Sequence, residues 1–498
     1  MNKGTKILKL TAALALFAIV TSASKTFFAN GEIFQNKKKT TIVKPTVKPV
    51  LANTKKAIIG DTIIVKNGES IQKAVQKAKS GDLILVYPGL YPETVFIDKD
   101  GIKLNGVIEK GEWPTLNGDK KLNDAFLYSG NGISIEYFKI INYKGNGVMG
   151  QAGNNFKINN NWIIDTGVYG IFPQYGKNGI IEHNVLSDIE DAAIYVGMCD
   201  NVDVRHNEVF DSVAGIEIEN SRHCIVENNY AHDNTGGILA FVTPGLPIKT
   251  TFDVIIRNNF IVNNNHANFG APGSLVAGIP VGTGVLIMAA DDVILEDNII
   301  TGNNSAGITI VDLATGASTS KDPNSEPNPD RVVILDNTMF GNGNAPQGEL
   351  KMLMSFAKMT KGVDIVSVGG GKGSTIKNKG KYKAIGLEKF GKAKINDTKS
   401  IKTYTLDYPV ESKLVSKKEL GSLTYHGVCA GCHAYDTRLI GVPTNIIQMI
   451  YKGRPKDMVK YMNKPLNLRD DYPEMPPQNY LSEEAKLAVA EYILTLKQ

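Results

Sequence analysis

Short apolar runs, each closed by an asparagine and a turn, recur through the middle of this chain. Segments 158–161, 181–184, 204–207, 226–229, 256–259, 295–298 and 334–337 all begin with an aliphatic residue and end in asparagine. The steps from Asn161 to Asn184, Asn207 and Asn229 are 23, 23 and 22 residues; later steps are longer and predict inserted loops. A second apolar strand follows each asparagine, as in Gly170-Ile171-Phe172, Ala193-Ile194-Tyr195-Val196, Gly215-Ile216-Glu217-Ile218 and Gly237-Ile238-Leu239. Strand-type runs at this period predict a solenoid of stacked parallel strands. The leucine frame of a leucine-rich repeat is absent. Asparagine tolerates the left-handed backbone of a sharp corner, and its amide, stacked at about 4.8 Å, can bond the coils above and below.

Upstream, Ser70 can cap a short helix with Ile71, Ala74, Val75 and Ala78 on one face and Gly81 at its end. Asp82-Leu83-Ile84-Leu85-Val86-Tyr87-Pro88-Gly89 then reads as strand and turn. Such a lid covers the open apolar end of a solenoid. This entrance resembles that of many pectin-lyase-like β-helix proteins. The runs 169–173, 191–197, 213–220, 234–239 and 268–272 resemble an exported bacterial family of right-handed parallel β-helix repeat proteins of unestablished function. The resemblance covers about residues 57–345 and implies fold, hardly activity.

Aligning the coils stacks further columns. Asn159, Glu182, Arg205, Glu227, Arg257, Glu296 and Leu335 form one, with charge alternating through its middle, which predicts cross-strand pairing at about 0.2–1 kcal/mol per contact. The next holds His183 above His206, too few ligands for a metal site. On the following strand Phe172, Tyr195, Glu217 and Leu239 stack. Glu217 and Glu219 alternate with Ile216 and Ile218, so both carboxylates point outward on one face, about 7 Å apart. Carboxylates so spaced can serve as acid and base or bind calcium, and Phe172, Tyr195 and Phe241 form an aromatic platform for a sugar ring. Glu217, Glu219 and Tyr195 are the candidate catalytic residues, with Asp191, Asp200 and Arg222 nearby; ordinary polar alternation on a solvated sheet is the competing reading. Cys199 and Cys224 lie too far apart in the alignment for a disulfide and are expected as buried free thiols.

Beyond residue 345 the text becomes Gly- and Lys-rich, consistent with a closing segment and linker over 346–420. Then comes Cys429-Ala430-Gly431-Cys432-His433. Two thiols three apart followed by histidine form a c-type haem attachment motif. Residues 421–498 resemble a small class I cytochrome c. The resemblance implies one covalent haem c, His433 as an axial ligand, a proline carbonyl near Gly441-Val442-Pro443 orienting it, and an all-α domain closed by a helix over 482–496. Among Met449, Met458, Met462 and Met475, the loop Pro473-Glu474-Met475-Pro476-Pro477 makes Met475 the expected sixth ligand, giving His/Met ligation suited to electron transfer.

The 498-residue length predicts several domains, and an apolar fraction of 42% supplies a full core. Lys3, Lys6 and Lys9 precede an apolar stretch too short to span a bilayer, then small residues, so 1–23 reads as a secretory signal peptide. Residues 24–56 read as a basic linker. The formal charge of +5 falls to +2 without the leader lysines, which is no nucleic-acid footprint. The sequence thus predicts a periplasmic or secreted multidomain protein, not an integral membrane protein once cleaved. Its leading function is single-electron transfer to a redox protein partner, with the β-helix as docking scaffold. Alternatives are a polysaccharide lyase or epimerase on the β-helix face with a linked cytochrome, or an accessory to metal-site assembly.

Overall fold

The computed structural model describes residues 60–497 except 317–321, 360, 395–416, 431, 439, 467–471, 473–474, 476 and 479–480. The leader and basic linker read at 1–56, and most of the methionine loop, lie outside the described residues. Each coil places one strand in each of three parallel sheets, with 13, 10 and 11 described strands. In one coil these are Lys157–Asn159, Trp162–Thr166 and Tyr169–Gln174; the next begins at Lys177–Glu182. We call the three the ladder, corner and face sheets.

Stacked aliphatic side chains fill the interior. Ile135, Ile158, Ile181, Val204, Val226, Ile256, Leu295 and Ile334 pair in register along the ladder sheet, all fully buried. β-Branched residues suit such a column because their restricted rotamers pack on a pleated surface. The lid is the helix Ile71–Lys77, whose Ser70 hydroxyl accepts from the Lys73 amide, with Ile71, Ala74 and Val75 buried. The coils run beyond residue 345: strands Ile365–Val368, Thr375–Ile376, Ala384–Ile385 and Gly391–Lys392 join the face and ladder sheets.

The corner after the ladder sheet divides its work between two residues. The left-handed one is not the repeating asparagine but the residue before it: Asn160, His183, His206, Asn228, Asn258, Asp297 and Asp336, with φ between 46° and 57°. The asparagine turns inward. Each of Asn161, Asn184, Asn207, Asn229, Asn259 and Asn298 donates its backbone N–H to the amide oxygen of the next at 2.9–3.0 Å. A second ladder, unseen in the sequence, runs from Asn234 through Asn264 and Asn303 to Asn342 at the following corner. The charged column pairs as expected, Arg205 with Glu182 at 2.9 Å and Arg257 with Glu227 at 2.7 Å.

Past the solenoid, short helices cover Lys417–Thr424, continuing as a wider turn Tyr425–Cys429, then Thr444–Ile450, Pro455–Asn463 and Glu483–Thr495. The last is capped by Ser482 and buries Ala485, Val489 and Ile493. A cytochrome c domain is not established by these helices.

Asn207 accepts from Asn184 and donates to Ile181, Arg205 and Asn229, all within 3.0 Å. Asn207→Ala strands buried donors and acceptors in two coils. The expected loss is about 3 kcal/mol in urea unfolding; a loss no larger than that of an exposed strand control such as Lys103→Ala contradicts the ladder's role.

Candidate functional site

Face-sheet strands Ala192–Gly197, Ala214–Glu219 and Gly236–Phe241 place Tyr195, Glu217 and Leu239 in one register column and Gly197, Glu219 and Phe241 in the next. This is the order read from the repeat. Tyr169 joins from the preceding coil: its ring stacks on Tyr195 at 4.5 Å and 18°, and Phe172 meets Tyr195 edge-on at 4.6 Å.

The expected solvated face is covered. Glu217 and Glu219 point away from the core, yet they are only 1% and 6% exposed. The loop residues Ser274, Leu275 and Val276, together with Ile440 from the C-terminal segment, close a cavity of about 30 Å³ over Tyr169, Asp191, Tyr195, Glu217, Glu219 and Phe241. That holds one or two waters. The cover is close-fitting: a methyl group added to Gly245 would meet Ala434, and one added to Gly273 would fall 2.7 Å from the Arg438 guanidinium. Asp200 and Arg222 pair with each other at 2.6 Å outside the cavity lining, so only Asp191 of the three neighbours joins the site.

Burial sets the electrostatics. It pushes Glu217 well above the ordinary carboxyl range, with the Asp191 charge adding to the effect. Asp191 is raised likewise, by burial and then by Glu219 and Glu190. Glu219 is pushed up to about 7 by burial. Glu217 Oε1 is buried with no hydrogen-bond partner among the described residues. Among the described residues no lysine, arginine or histidine lines the cavity. Burial thus favours the neutral form of Glu217 and Asp191 beside Glu219, pushed up to about 7, a combination fit for proton transfer to and from a bound molecule.

The C-terminal motif lies against this row. His433 and Cys432 donate their backbone N–H groups to the Cys429 carbonyl at 2.9 and 3.1 Å, so all three side chains leave one turn. The ring Nδ1–H of His433 donates to the Val442 carbonyl at 2.7 Å, not to that of the adjacent proline. Burial, then the charges of Asp191 and Asp124, push the Cys432 thiol up to about 12. Met475 is half-buried in the apolar cluster that contains Cys429, Met458 and Met462. Cys199 and Cys224 are buried free thiols, as expected.

Residues 124–252 match the family model described as right handed beta helix region. No curated protein sequence matches the chain. Similar solved structures include an alginate lyase from Paenibacillus sp., 14% identical over 58% of this chain and 98% of that one, with TM-score 0.41. Others are the periplasmic alginate epimerase AlgG, at 17% over 58% and 73% with TM-score 0.33, and a GH136 lacto-N-biosidase from Eubacterium ramulus, at 13% over 57% and 65% with TM-score 0.40.

The expectation of an electron carrier is corrected here. The family match falls on the solenoid, at residues 124–252, and does not reach the C-terminal motif. Among the described residues no helix is long and apolar enough to cross a membrane.

A raised carboxyl binds more protons folded than unfolded between its ordinary 4.5 and about 7, so folding stability falls as pH rises through that window. Glu219→Gln should flatten this fall by roughly 3 kcal/mol in urea unfolding between pH 4.5 and 7.5. Parallel wild-type and variant profiles contradict the assignment.

Proposed function

We propose that the chain is an exported polysaccharide lyase or epimerase acting at Asp191, Glu217 and Glu219. The convergence of these three buried carboxyls beside the Tyr169–Tyr195 stack carries this reading. Both reactions begin by removing a proton from the sugar carbon next to a uronate carboxylate. Glu219, near neutrality, suits the base. Protonated Glu217 or Asp191 can donate to the substrate carboxylate and stabilise the enediolate as charge moves onto it. The intermediate then takes a proton on the opposite face, for which the Tyr195 hydroxyl is the candidate donor, or expels the neighbouring glycosidic oxygen. The first outcome is epimerisation and the second is chain cleavage. A polymer reaches these groups only when the 274–276 loop and Ile440 lift. An enzyme on extracellular polymers suits the secretory leader read at 1–23.

Full-length protein is incubated with alginate and polygalacturonate, following unsaturated-uronate absorbance for cleavage and proton NMR for epimer content. Turnover is expected with one polymer, reduced by at least about a hundredfold in Glu219→Gln and Glu217→Gln. Failure of both polymers to change, or full activity in both variants, rejects the reading.

For the motif turn we infer a cofactor alone: Cys429 and Cys432 would hold a haem c through their thiols, with His433 and Met475 as the side chains offered to its iron. Its support is the shared turn and the His433 Nδ1–Val442 bond, which leaves Nε2 as a lone-pair donor. It takes no part in the proton transfers above. Protein from a host equipped for haem attachment should retain haem absorbance after denaturation and lose it in Cys429→Ala/Cys432→Ala; a colourless wild type ends this inference.

A further inference from the structure

Away from the acid cavity, the corner outside the first asparagine ladder carries a second concavity of about 270 Å³, with Ile108, Trp113, Tyr137, Asn160, Trp162 and His183 in its walls. The chain has two tryptophans, and both are here. Their rings meet edge to face with centroids 6.3 Å apart. Lys139, one coil before Trp162 in the register, holds its ammonium 4.0 Å from that ring's centroid. Trp162 and Ile108 remain 36% and 40% exposed.

The chain builds this groove from both sides. The connection between strands Lys103–Gly106 and Pro114–Asn117 is pinned by paired backbone bonds between Glu109 and Glu112, and it supplies Ile108 and Trp113. Opposite, the left-handed corner residues Asn160 and His183 supply polar groups, and His183 stacks on His206 at 5.0 Å and 5°. The row then continues along the solenoid. Trp162, Val185, Glu208, Tyr230 and Phe260 follow one another in register, with Tyr230 and Phe260 exposed by 40% and 50%. Beside them runs the exposed corner row His183, His206, Asn228 and Asn258.

Aromatic rings next to hydrogen-bonding side chains match a pyranose, which has an apolar C–H face and a rim of hydroxyls. A purely apolar ligand leaves the amide and imidazole rows unused. The polar corner row repeats at about 4.8 Å per coil, and rings flank it at Trp162 and again at Tyr230 and Phe260, which favours a linear polymer over a single sugar. We propose that this corner binds a linear pyranose glycan, separately from any chemistry in the acid cavity.

Because both tryptophans line the groove, intrinsic fluorescence reports on it directly. Full-length protein is titrated with hexamers of galacturonate, mannuronate, glucose (β-1,4) and xylose (β-1,4). A saturable change with at least one is expected. By calorimetry Trp162→Ala should weaken that hexamer about tenfold, Trp162→Phe should keep its affinity within about threefold, and Glu217→Gln should leave it unchanged. Trp162→Phe, with its ring retained, controls for folding. Silence of all four hexamers, wild-type affinity in Trp162→Ala, or equal weakening by Glu217→Gln overturns the proposal. The last outcome would assign the binding to the acid cavity; activity lost in Glu217→Gln with groove binding intact would separate the two sites.

Discussion

A buried asparagine amide that bonds the coil above and the coil below is the interaction on which the rest of this structure depends. Its oxygen accepts from the preceding ladder member, as Asn184 Oδ1 does from Asn161, and its nitrogen donates to a carbonyl one coil back and to the next amide oxygen, as Asn184 does with the Ile158 carbonyl and Asn207 Oδ1. In an apolar interior such groups are costly unless paired, so a slip of one residue in a coil between Asn161 and Asn337 breaks a continuous chain of bonds. Coil length varies from 22 to 39 residues between ladder members, yet the register does not drift. Loops absorb the difference on the outside.

That fixed register decides which side chains meet. Glu217 and Glu219 share a strand, and Asp191 leads into the strand one coil earlier; no short-range feature of the chain unites them. Stacking brings them under the same cover, and the cover gives them their chemistry. On an open sheet all three would be ordinary solvated carboxylates. Beneath Leu275, Val276 and Ile440 they lose water, their pKa values rise, and proton donors coexist with a near-neutral acceptor.

The repeat was legible because apolar period and asparagine spacing coincide over segments 158–337, and the lid because Ser70 and its apolar face carry a capping signature. The division of the corner between a left-handed residue and an inward asparagine was not, since Asn160 beside Asn161, or Asn228 beside Asn229, gives no sign of which does which. The second ladder escaped because Ser212 occupies its place one coil before Asn234, which breaks the motif where the period is most regular. Glu217, Glu219 and Tyr195 followed from alternation. Their burial did not, because it depends on a loop at 274–276 and on Ile440, more than two hundred residues downstream of Glu219. The strongest local motif, Cys429 to His433, drew the functional reading toward the C-terminus, although its short range says nothing of the large sheet against which it packs.

Burying three carboxyls with no cation among the described residues of the cavity lining is a poor way to stabilise a fold. Apolar replacements of similar volume would fill the space without a desolvation penalty, and Glu217 Oε1 finds no hydrogen-bond partner among the described residues. Elsewhere the solenoid pairs many of its charges on the outside and satisfies most of its corner amides in ladders, leaving single buried atoms such as Asn155 Nδ2 and Asn159 Oδ1 unpaired among the described residues. The acid cavity differs in gathering three carboxyls at one place without a cation among the described residues that line it. Local conflict of this kind belongs to sites that act on something, and the stiff ladder behind the face sheet can hold it without yielding.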